Sequence, residues 1–460
     1  MRTLAILMVG VTAACGGNDE ARPDARTGGA IDAAVSSIDA VASVDAAGGA
    51  LQLRVEPGGA VRVRSGATTL AVCRQDCVVD AAPGTTLDLY AGSAAVFTGW
   101  TDGCSGSSRA CQVTTGVAPV VVGATFALPA SALWVRELVD VAAVLSVELL
   151  ADDRLVIGTS AGARLLAADG GQVWASPAVP GAARVSATGA IYVLHGRDLV
   201  RLEPGTGAEL WRQEVAPAGT EVGGPTASTM AHRFETGPSD EVVMVVASNV
   251  VKVDSTGAVA WTRAITGTPR GPVAVDGAGT VLVAIEDPVS VEGTLVARWS
   301  AAGVALADSA AIGPQYQAAM AVDGSGQLLG STSGHGHVDL VRRGQGAGAG
   351  AYAVRVDLDD PDYVDSGVAA TSAGDAAWMY TTDELLDPVV GLRLSRVSPT
   401  GAVSPRLDLR SEEDPVTFDR LGVVARDVAV ALDGERYAVA GRAYSVDSGT
   451  GHGWILVGTF

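Results

Sequence analysis

The stretch LWVREL, residues Leu133–Leu138, has close relatives further along the chain. VWA (173–175), LWRQEV (210–215) and AWTRAI (260–265) repeat its pattern of a tryptophan in a short strand. A glycine-containing turn precedes each of these three copies, whereas none precedes LWVREL. LWVREL therefore opens a repeat region instead of closing a repeat, and we expect it to be the strand that seals a ring of β-sheets.

A second unit, a turn followed by an alternating strand, recurs seven times within residues 131–460. Its copies begin at Leu150, Ser186, Pro238, Asp276, Asp323, Thr371 and Leu432. The six intervals between Leu150 and Leu432 average 47 residues, slightly more than the roughly 40–45 residues of a four-stranded propeller blade. Strands of this kind bury both faces only when their sheets stack on one another, so the period indicates stacked four-stranded sheets.

The glycine turn that precedes the tryptophan-type strand occurs one time fewer. Its copies are ADGG (168–171), EPGTG (203–207), DSTG (254–257), SAAG (300–303), SPTG (398–401) and a looser glycine-rich version at 343–350. The missing seventh outer strand is then LWVREL, and its expected partner is the last predicted strand, GWILVGTF (453–460). A ring closed in this way leaves no free sheet edge at the point of closure.

These repeats resemble two bacterial propeller families, the PQQ-like (pyrroloquinoline-quinone-type) repeats with their "G...W" ends and the "VD..G.V.V.G" repeats of secreted propellers. The resemblance implies an all-β fold, a β-propeller. The seven copies of the first unit indicate roughly seven blades, and we expect the outer-strand tryptophans to pack between neighbouring sheets. The later repeats depart from the pattern. The positions equivalent to Trp174, Trp211 and Trp261 fall near Ala307 and Pro405, where the sequence has no tryptophan. Nothing in the sequence supports a bound quinone, and no cofactor is expected.

Residues 51–128 carry a different ordered set of motifs. LQLRVEPGGAVRVR (51–64) predicts a β-hairpin around its Pro-Gly-Gly turn, and further strands are expected at Thr86–Tyr90 and Val120–Phe126. Between them lie two short cysteine pairs and the core motif FTGW, with Phe97 and Trp100. This order resembles the divergent internalin B-repeat-like domain of bacterial surface proteins, which implies a small extracellular β module.

The four clustered cysteines of the module are Cys73, Cys77, Cys104 and Cys111. Local spacing pairs Cys73 with Cys77 and Cys104 with Cys111, although four cysteines allow three pairings. Two disulfides would compensate for the thin core of so small a module. A zinc site is the alternative for the same four side chains.

The fifth cysteine, Cys15, follows a positive start at Arg2 and an apolar run, TLAILMVGVTAA (3–14), too short to span a membrane comfortably. This pattern resembles a bacterial lipoprotein signal, which implies cleavage after residue 14 and lipidation of Cys15. An ordinary secretory signal is the alternative. Residues 15–50 repeat Asp-Ala units without one aromatic side chain and predict a disordered tether. We therefore expect an exported protein, lipid-anchored in the outer membrane or on the cell surface.

The composition narrows the possible partners. The chain has 460 residues and a formal net charge of −20 at pH 7, which repels nucleic acids and anionic lipid headgroups. Contact with the membrane is therefore expected only through the lipid anchor, and the protein is expected to be a monomer. Part of the negative charge lies in the tether, so it says less about the folded domains.

Three motifs with possible chemistry lie in the repeat region. GTSAG (158–162) matches G-x-S-x-G, but Ser160 is predicted to lie at a hairpin between two strands, where a nucleophile elbow needs a strand–turn–helix. His335 and His337 could ligate a metal but have no third ligand nearby in sequence. A crowded acidic loop suits calcium in residue type, without the spacing of an EF-hand. Its carboxylates are Asp357, Asp359, Asp360, Asp362 and Asp365.

No catalytic set of residues emerges, and three functions stay open. The first is a non-enzymatic surface protein that recognises a protein or glycan ligand through one face of the propeller. The second is a periplasm-facing scaffold that resembles the propeller lipoprotein of outer-membrane barrel assembly. The third is a propeller enzyme acting on polysaccharide, which requires carboxylates or histidines that converge in the axial channel.

Overall fold

A computed structural model of the chain describes residues 49–460 with internal gaps. The gaps are 57–58, 67, 74, 93–95, 129–130, 139, 218–232, 287–292, 315, 335–336, 344–351, 358–362, 372, 384–390, 411–420, 431–433 and 446–450. The described residues form 36 β-strands and no α-helix, so the all-β class is confirmed. No described segment is a helix with the length and apolar character needed to cross a bilayer. The predicted signal peptide, Cys15 and most of the tether lie outside the described residues.

The module consists of two four-stranded sheets. The strands are β1 (Ala50–Val55), β2 (Ala60–Ser65), β3 (Thr68–Cys73), β4 (Cys77–Asp80), β5 (Thr86–Gly92), β6 (Val96–Asp102), β7 (Ala110–Thr114) and β8 (Val120–Ala127). One sheet has the order β4-β1-β8-β6 and the other β3-β2-β5-β7. Their inner faces share one core in which Phe97 packs edge-on against Trp100 and Phe126, with ring centroids 5.1 and 5.4 Å apart.

Both expected disulfides are present, and each joins one sheet of the module to the other. Cys73 at the end of β3 is bonded to Cys77 at the start of β4, with their Cα atoms 6.0 Å apart. Cys104, just after β6, is bonded to Cys111 in β7, with a Cα separation of 6.4 Å. The disulfides therefore hold together the edge strands of two sheets that share a small core.

The hairpin predicted for residues 51–64 is wrong. β1 pairs with β4 and β8, whereas β2 pairs with β3 and β5, so the two strands lie in different sheets. The turn exists, because the amide of Gly59 donates to the carbonyl of Glu56 at 3.1 Å, but it carries the chain across the core. A Cβ at Gly59 would lie 2.2 Å from the Phe126 ring, so only glycine fits this crossing.

Residues 132–459 form seven four-stranded antiparallel sheets within the described chain. Sheet 1 contains β10 (Val144–Leu149), β11 (Leu155–Thr159), β12 (Gly162–Leu166) and β13 (Gln172–Ser176). Sheet 2 contains β14 (Ala182–Val185), β15 (Ile191–His195), β16 (Asp198–Leu202) and β17 (Glu209–Glu214). Sheet 3 contains β18 (Phe234–Thr236), β19 (Val242–Val246), β20 (Asn249–Val253) and β21 (Val259–Ala264).

The remaining four sheets follow in chain order. Sheet 4 contains β22 (Pro269–Val275), β23 (Val281–Glu286), β24 (Gly293–Trp299) and β25 (Ala305–Pro314). Sheet 5 contains β26 (Tyr316–Val322), β27 (Leu328–Gly334), β28 (His337–Arg343) and β29 (Tyr352–Asp357). Sheet 6 contains β30 (Tyr363–Ala370), β31 (Ala376–Asp383), β32 (Gly391–Val397) and β33 (Val403–Arg410). Sheet 7 contains β34 (Leu421–Val430), β35 (Arg436–Ser445), β36 (Gly451–Thr459) and β9 (Ala132–Leu138).

The outer strand of sheet 7 comes from the start of the repeat region. β9 pairs antiparallel with β36, with Leu138 opposite Gly453 and Trp134 opposite Val457. The first strand of each sheet contacts the first strand of the next, and β34 of sheet 7 contacts β10 of sheet 1. The sheets therefore form a closed ring around an axis lined by their first strands, which is a β-propeller.

Both families of predicted turns lie where the repeats place them. Each turn of the first unit that the structure describes joins a first strand to a second, and each described glycine turn joins a third strand to a fourth. The start of the turn at Leu432 and the glycine-rich stretch 344–350 lie outside the described residues. Turns of neighbouring sheets touch, as when the Thr188 hydroxyl donates to the Asp240 carboxylate at 2.5 Å. We call the end of the ring that carries these turns the turn face.

Aromatic side chains of the outer strands seal the seams between sheets, as the repeat pattern predicts. The Trp174 ring packs on Gly207 in the next sheet, and its indole N–H donates to the carbonyl of Pro204 at 2.9 Å. Trp134 and Trp261 repeat the arrangement with the carbonyls of Ala168 and Ala301. A glycine turn therefore supplies both a flat surface and an acceptor to the tryptophan of the preceding sheet.

Candidate functional site at the propeller axis

Arg184 places a buried cation among the first strands that line the axis of the ring. It is the next-to-last residue of β14, the short first strand of sheet 2, and only 8% of its side chain is exposed. Its guanidinium lies 5.9 Å from the centre of the fully buried Phe234 ring on the first strand of sheet 3. A buried guanidinium requires anionic partners, and three carboxylates supply them.

The three carboxylates come from three other sheets. The Glu148 Oε1 of sheet 1 and the Asp427 Oδ2 of sheet 7 lie 2.9 and 3.0 Å from the same Arg184 Nη1. The Glu235 Oε2 of sheet 3 lies 3.7 Å from Arg184 Nε. Four consecutive sheets of the ring, 7, 1, 2 and 3, thus meet in one ionic group. We call Glu148, Arg184, Glu235 and Asp427 the axial cluster.

Backbone geometry brings Asp427 into the axial cluster. A β-bulge between Ala425 and Asp427 shifts the register of β34, and 5% of the Asp427 side chain is exposed. The Oδ2 of Asp427 also accepts the backbone N–H of Val147 at 3.1 Å, and its Oδ1 accepts that of Val428 at 3.0 Å. The carboxylate therefore bonds to sheets 1 and 2 as well as to its own strand.

The ionisation of the axial cluster is strongly perturbed. Burial raises the pKa of Glu148 to about 8, with Arg184 opposing the shift and the charges of Glu235 and Asp427 adding to it. Burial also raises the pKa of Glu235 against the opposing charge of Arg184. Burial alone would lower the pKa of Arg184, but the three carboxylates outweigh it and the pKa is raised. Near neutral pH the site therefore keeps a proton on a carboxyl group.

The position and exposure of the axial cluster determine what it can contact. Glu148, Arg184 and Glu235 are each one residue from the end of a first strand that leads into the turn face. The side chains of Glu148 and Glu235 remain 25% and 33% exposed. With three acids around one base, the accessible groups are hydrogen-bond acceptors and a carboxyl donor. Such a surface suits amine, guanidinium or hydroxyl groups of a ligand better than anions.

The turn next to the axial cluster adds further ordered acceptors. The Asp240 carboxylate accepts the Thr188 hydroxyl, and its backbone carbonyl accepts the Tyr192 hydroxyl at 2.7 Å. Burial acts to raise the pKa of Asp240, but hydrogen bonds from Ser186 and Thr188 outweigh it and hold the pKa below its ordinary value. Asp240 is therefore a fixed anion between the turns of sheets 2 and 3.

The structure gives the G-x-S-x-G serine a structural role. Ser160 lies between β11 and β12, and its hydroxyl accepts the backbone N–H groups of Ala142 and Ala143 at 3.0 and 3.2 Å. This fixes the segment that leads from β9 into sheet 1. The position is the strand-to-strand hairpin that the sequence predicts.

The other candidate residues are only partly described. His337 begins β28 with its Nε2 3.7 Å from the Asp339 Oδ2, whereas His335 lies outside the described residues. In the acidic loop, Asp357 ends β29 with an exposed side chain, and the backbone of Asp365 pairs with Thr381. Asp359, Asp360 and Asp362 lie outside the described residues. Among the residues that are described, no three metal-binding side chains converge.

The axial cluster was missed in the sequence, although a weak signal exists. Glu148, Arg184 and Glu235 are each the next-to-last residue of the first strand of their sheet, just before the turn to the second strand. Asp427 stands two residues further from the end of its own strand, β34, than the other three do from theirs. Because side chains alternate along a strand, this spacing keeps it on the same face. Aligning the repeats on their turns could have found a charge on the inward face of a first strand. It could not have identified the partners of that charge in other sheets.

No protein-family model matches the chain, and no curated protein matches it. Among solved structures it is similar to a streptogramin B lyase, with a TM-score of 0.44, 10% identity, and coverage of 70% of this chain and 97% of that one. It is also similar to the WD40 domain of SCAP from fission yeast, with a TM-score of 0.39, 9% identity, and coverage of 70% and 97%. For the Dos1 propeller the values are 0.38, 9%, 65% and 75%. These neighbours agree with the chain in fold alone.

Proposed function

We propose that this protein is a non-enzymatic cell-envelope lipoprotein whose propeller binds a protein or glycan ligand on its turn face. A propeller supports a binding or scaffold role in general terms, because its rigid ring presents many turns on one surface. The observation that carries the choice of face is the axial cluster, where the side chains of Glu148 and Glu235 stay partly exposed among the turns. The ligand would bring amine, guanidinium or hydroxyl groups to these acceptors.

Binding of purified residues 51–460 to glycan arrays and to cell extracts tests the proposal. Replacement of Glu148 and Glu235 by glutamine keeps the size of each side chain and exchanges its carboxyl group for an amide that cannot ionise. We expect this double variant to lose most of the captured ligand. The control is Glu214→Gln, because Glu214 ends β17 and therefore lies at the opposite end of the strands from the turn face. Equal capture by the wild type and the double variant would show that the turn face is not the binding surface.

The anchoring part of the proposal has its own test. Labelled palmitate should enter the wild-type protein and not a Cys15→Ala variant, because a lipoprotein signal requires the thiol. Protease treatment of whole cells should then release the propeller if the protein faces outward. Resistance in intact cells with cleavage in broken cells would favour a periplasm-facing scaffold instead.

A further inference from the structure

Sheet 7 differs from the other six sheets because it combines strands from both ends of the repeat region: β9 comes from the start and continues into sheet 1, whereas β34, β35 and β36 come from the end. β9 closes sheet 7 at the perimeter through its pairing with β36. At the axis, the Asp427 carboxylate of sheet 7 accepts the Val147 N–H of sheet 1 and bonds to Arg184 of sheet 2. The ring is therefore fastened at both edges of its closing sheet.

We propose that the axial cluster is a proton-dependent clasp that fastens sheet 7 to sheets 1, 2 and 3 at the axis. With a proton on Glu148, one guanidinium faces at most two carboxylates. Without that proton, three carboxylates surround a single cation in a poorly solvated site. The added repulsion acts directly across the closing seam, because Asp427 and Glu148 share the same Nη1 of Arg184. This clasp acts in the ligand-free protein and does not depend on the proposed binding function.

The charged groups with the largest effect on Glu148 lie on three neighbouring first strands. Arg184 acts from β14, Glu235 from β18 and Asp427 from β34. Within sheet 1, the residue opposite Glu148 on β11 is the apolar Val156. Because two of the three neighbouring charges are negative and the site is desolvated, the protonated form of Glu148 is favoured by geometry as well as by burial.

The direction of the pH effect follows from linkage. The pKa of Glu148 rises from an ordinary value of 4.5 to about 8 in the folded ring. The closed ring therefore holds a proton that is released when the seam opens. The stabilisation of the closed seam by this proton is complete below about pH 4.5 and is lost as pH rises to about 8. Opening of the seam should increase by up to about tenfold per pH unit in this window, and the increase should stop above it. Partial exposure of Glu148 makes this slope an upper limit.

Hydrogen exchange of the ligand-free protein measures this opening strand by strand. After correction for the intrinsic exchange rate, exchange in β9, β34 and β36 should rise with pH between about 5 and 8, whereas exchange in sheets 4 and 5 should stay flat. In Glu148→Gln, which is neutral at every pH, the rise should fall to less than half of the wild-type slope. Glu214→Gln should keep the wild-type slope, because it removes a carboxylate at the other end of the ring.

Two outcomes would overturn the clasp. One is an equal pH slope at the seam in the wild type and Glu148→Gln, which would assign the effect to other titrating groups. The other is a wild-type seam whose corrected exchange does not change with pH. The second measurement needs no variant, so it decides the matter even if Glu148→Gln fails to fold. Neither result bears on ligand capture, so failure of the clasp and failure of the binding proposal are distinguishable.

Discussion

Replacing Gly207 by alanine should be markedly more destabilising than replacing Gly189, although both glycines adopt the left-handed conformation. Gly207 has φ +70°, and a Cβ there would lie 2.5 Å from the Trp174 ring. Gly189 has φ +87°, with no atom within 4 Å of its ideal Cβ. The left-handed backbone costs alanine about 1–2 kcal/mol at either position. Only Gly207→Ala adds overpacking, worth about 1–3 kcal/mol, because the Trp174 ring is held by its bond to Pro204.

Denaturant titrations of the two variants therefore isolate the packing contribution. We expect losses of about 2–5 kcal/mol for Gly207→Ala and about 1–2 kcal/mol for Gly189→Ala. In a Trp174→Ala background the clash disappears, so Gly207→Ala should then cost about as much as Gly189→Ala. Equal costs for the two glycines, or a Gly207→Ala cost that does not change when Trp174 is removed, would refute the account of the seams.

Three further predictions concern other contacts that stabilise the fold. Trp134→Ala should lower the stability of the ring by about 2–4 kcal/mol and speed proteolysis at the closing strand, because the indole seals the seam between sheets 7 and 1. Lys252→Met should cost about 3–5 kcal/mol in denaturant titrations by leaving the buried Glu241 carboxylate unpaired, and adding Glu241→Gln should recover most of the loss. Cys104→Ser with Cys111→Ser should destabilise the module by about 2–3 kcal/mol, measured by hydrogen exchange in its strands.

The ring could be predicted from the sequence because the motifs that specify its sheets recur at regular intervals. Each repeat carries its own turn, and a mismatch of one between the two turn families points to a displaced strand. The absence of a glycine turn before Trp134 then identifies that strand, and the structure pairs it with β36. The same reasoning failed for residues 51–64, because a local turn signal does not say whether the strands on either side share a sheet. Packing of Gly59 against Phe126 decides that point, and the contact is remote in sequence.

The axial cluster could not be predicted for a related reason. Its four members come from four repeats and are separated by up to 279 residues, the interval from Glu148 to Asp427. Alternation within one strand can place a single charge on the inward face, but only closure of the ring brings the four together. The β-bulge that sets the register of Asp427 lies in the same strand as many apolar residues and leaves no composition signal.

The contacts that hold neighbouring sheets together differ around the ring, and they are most numerous in kind near sheet 7, where the ring closes. Trp134, Trp174 and Trp211 seal the three successive seams from sheet 7 to sheet 3, and the axial cluster ties the same four sheets together from the inside. On the far side of the ring, Ala307 takes the tryptophan position in sheet 4, and the loss of a large aromatic ring removes contact area from that seam. The seam between sheets 7 and 1 thus has both a tryptophan seal and the axial cluster, whereas the seam between sheets 4 and 5 has neither of these two features. The tryptophan seal and the axial cluster therefore coincide at the place where the two ends of the repeat region meet.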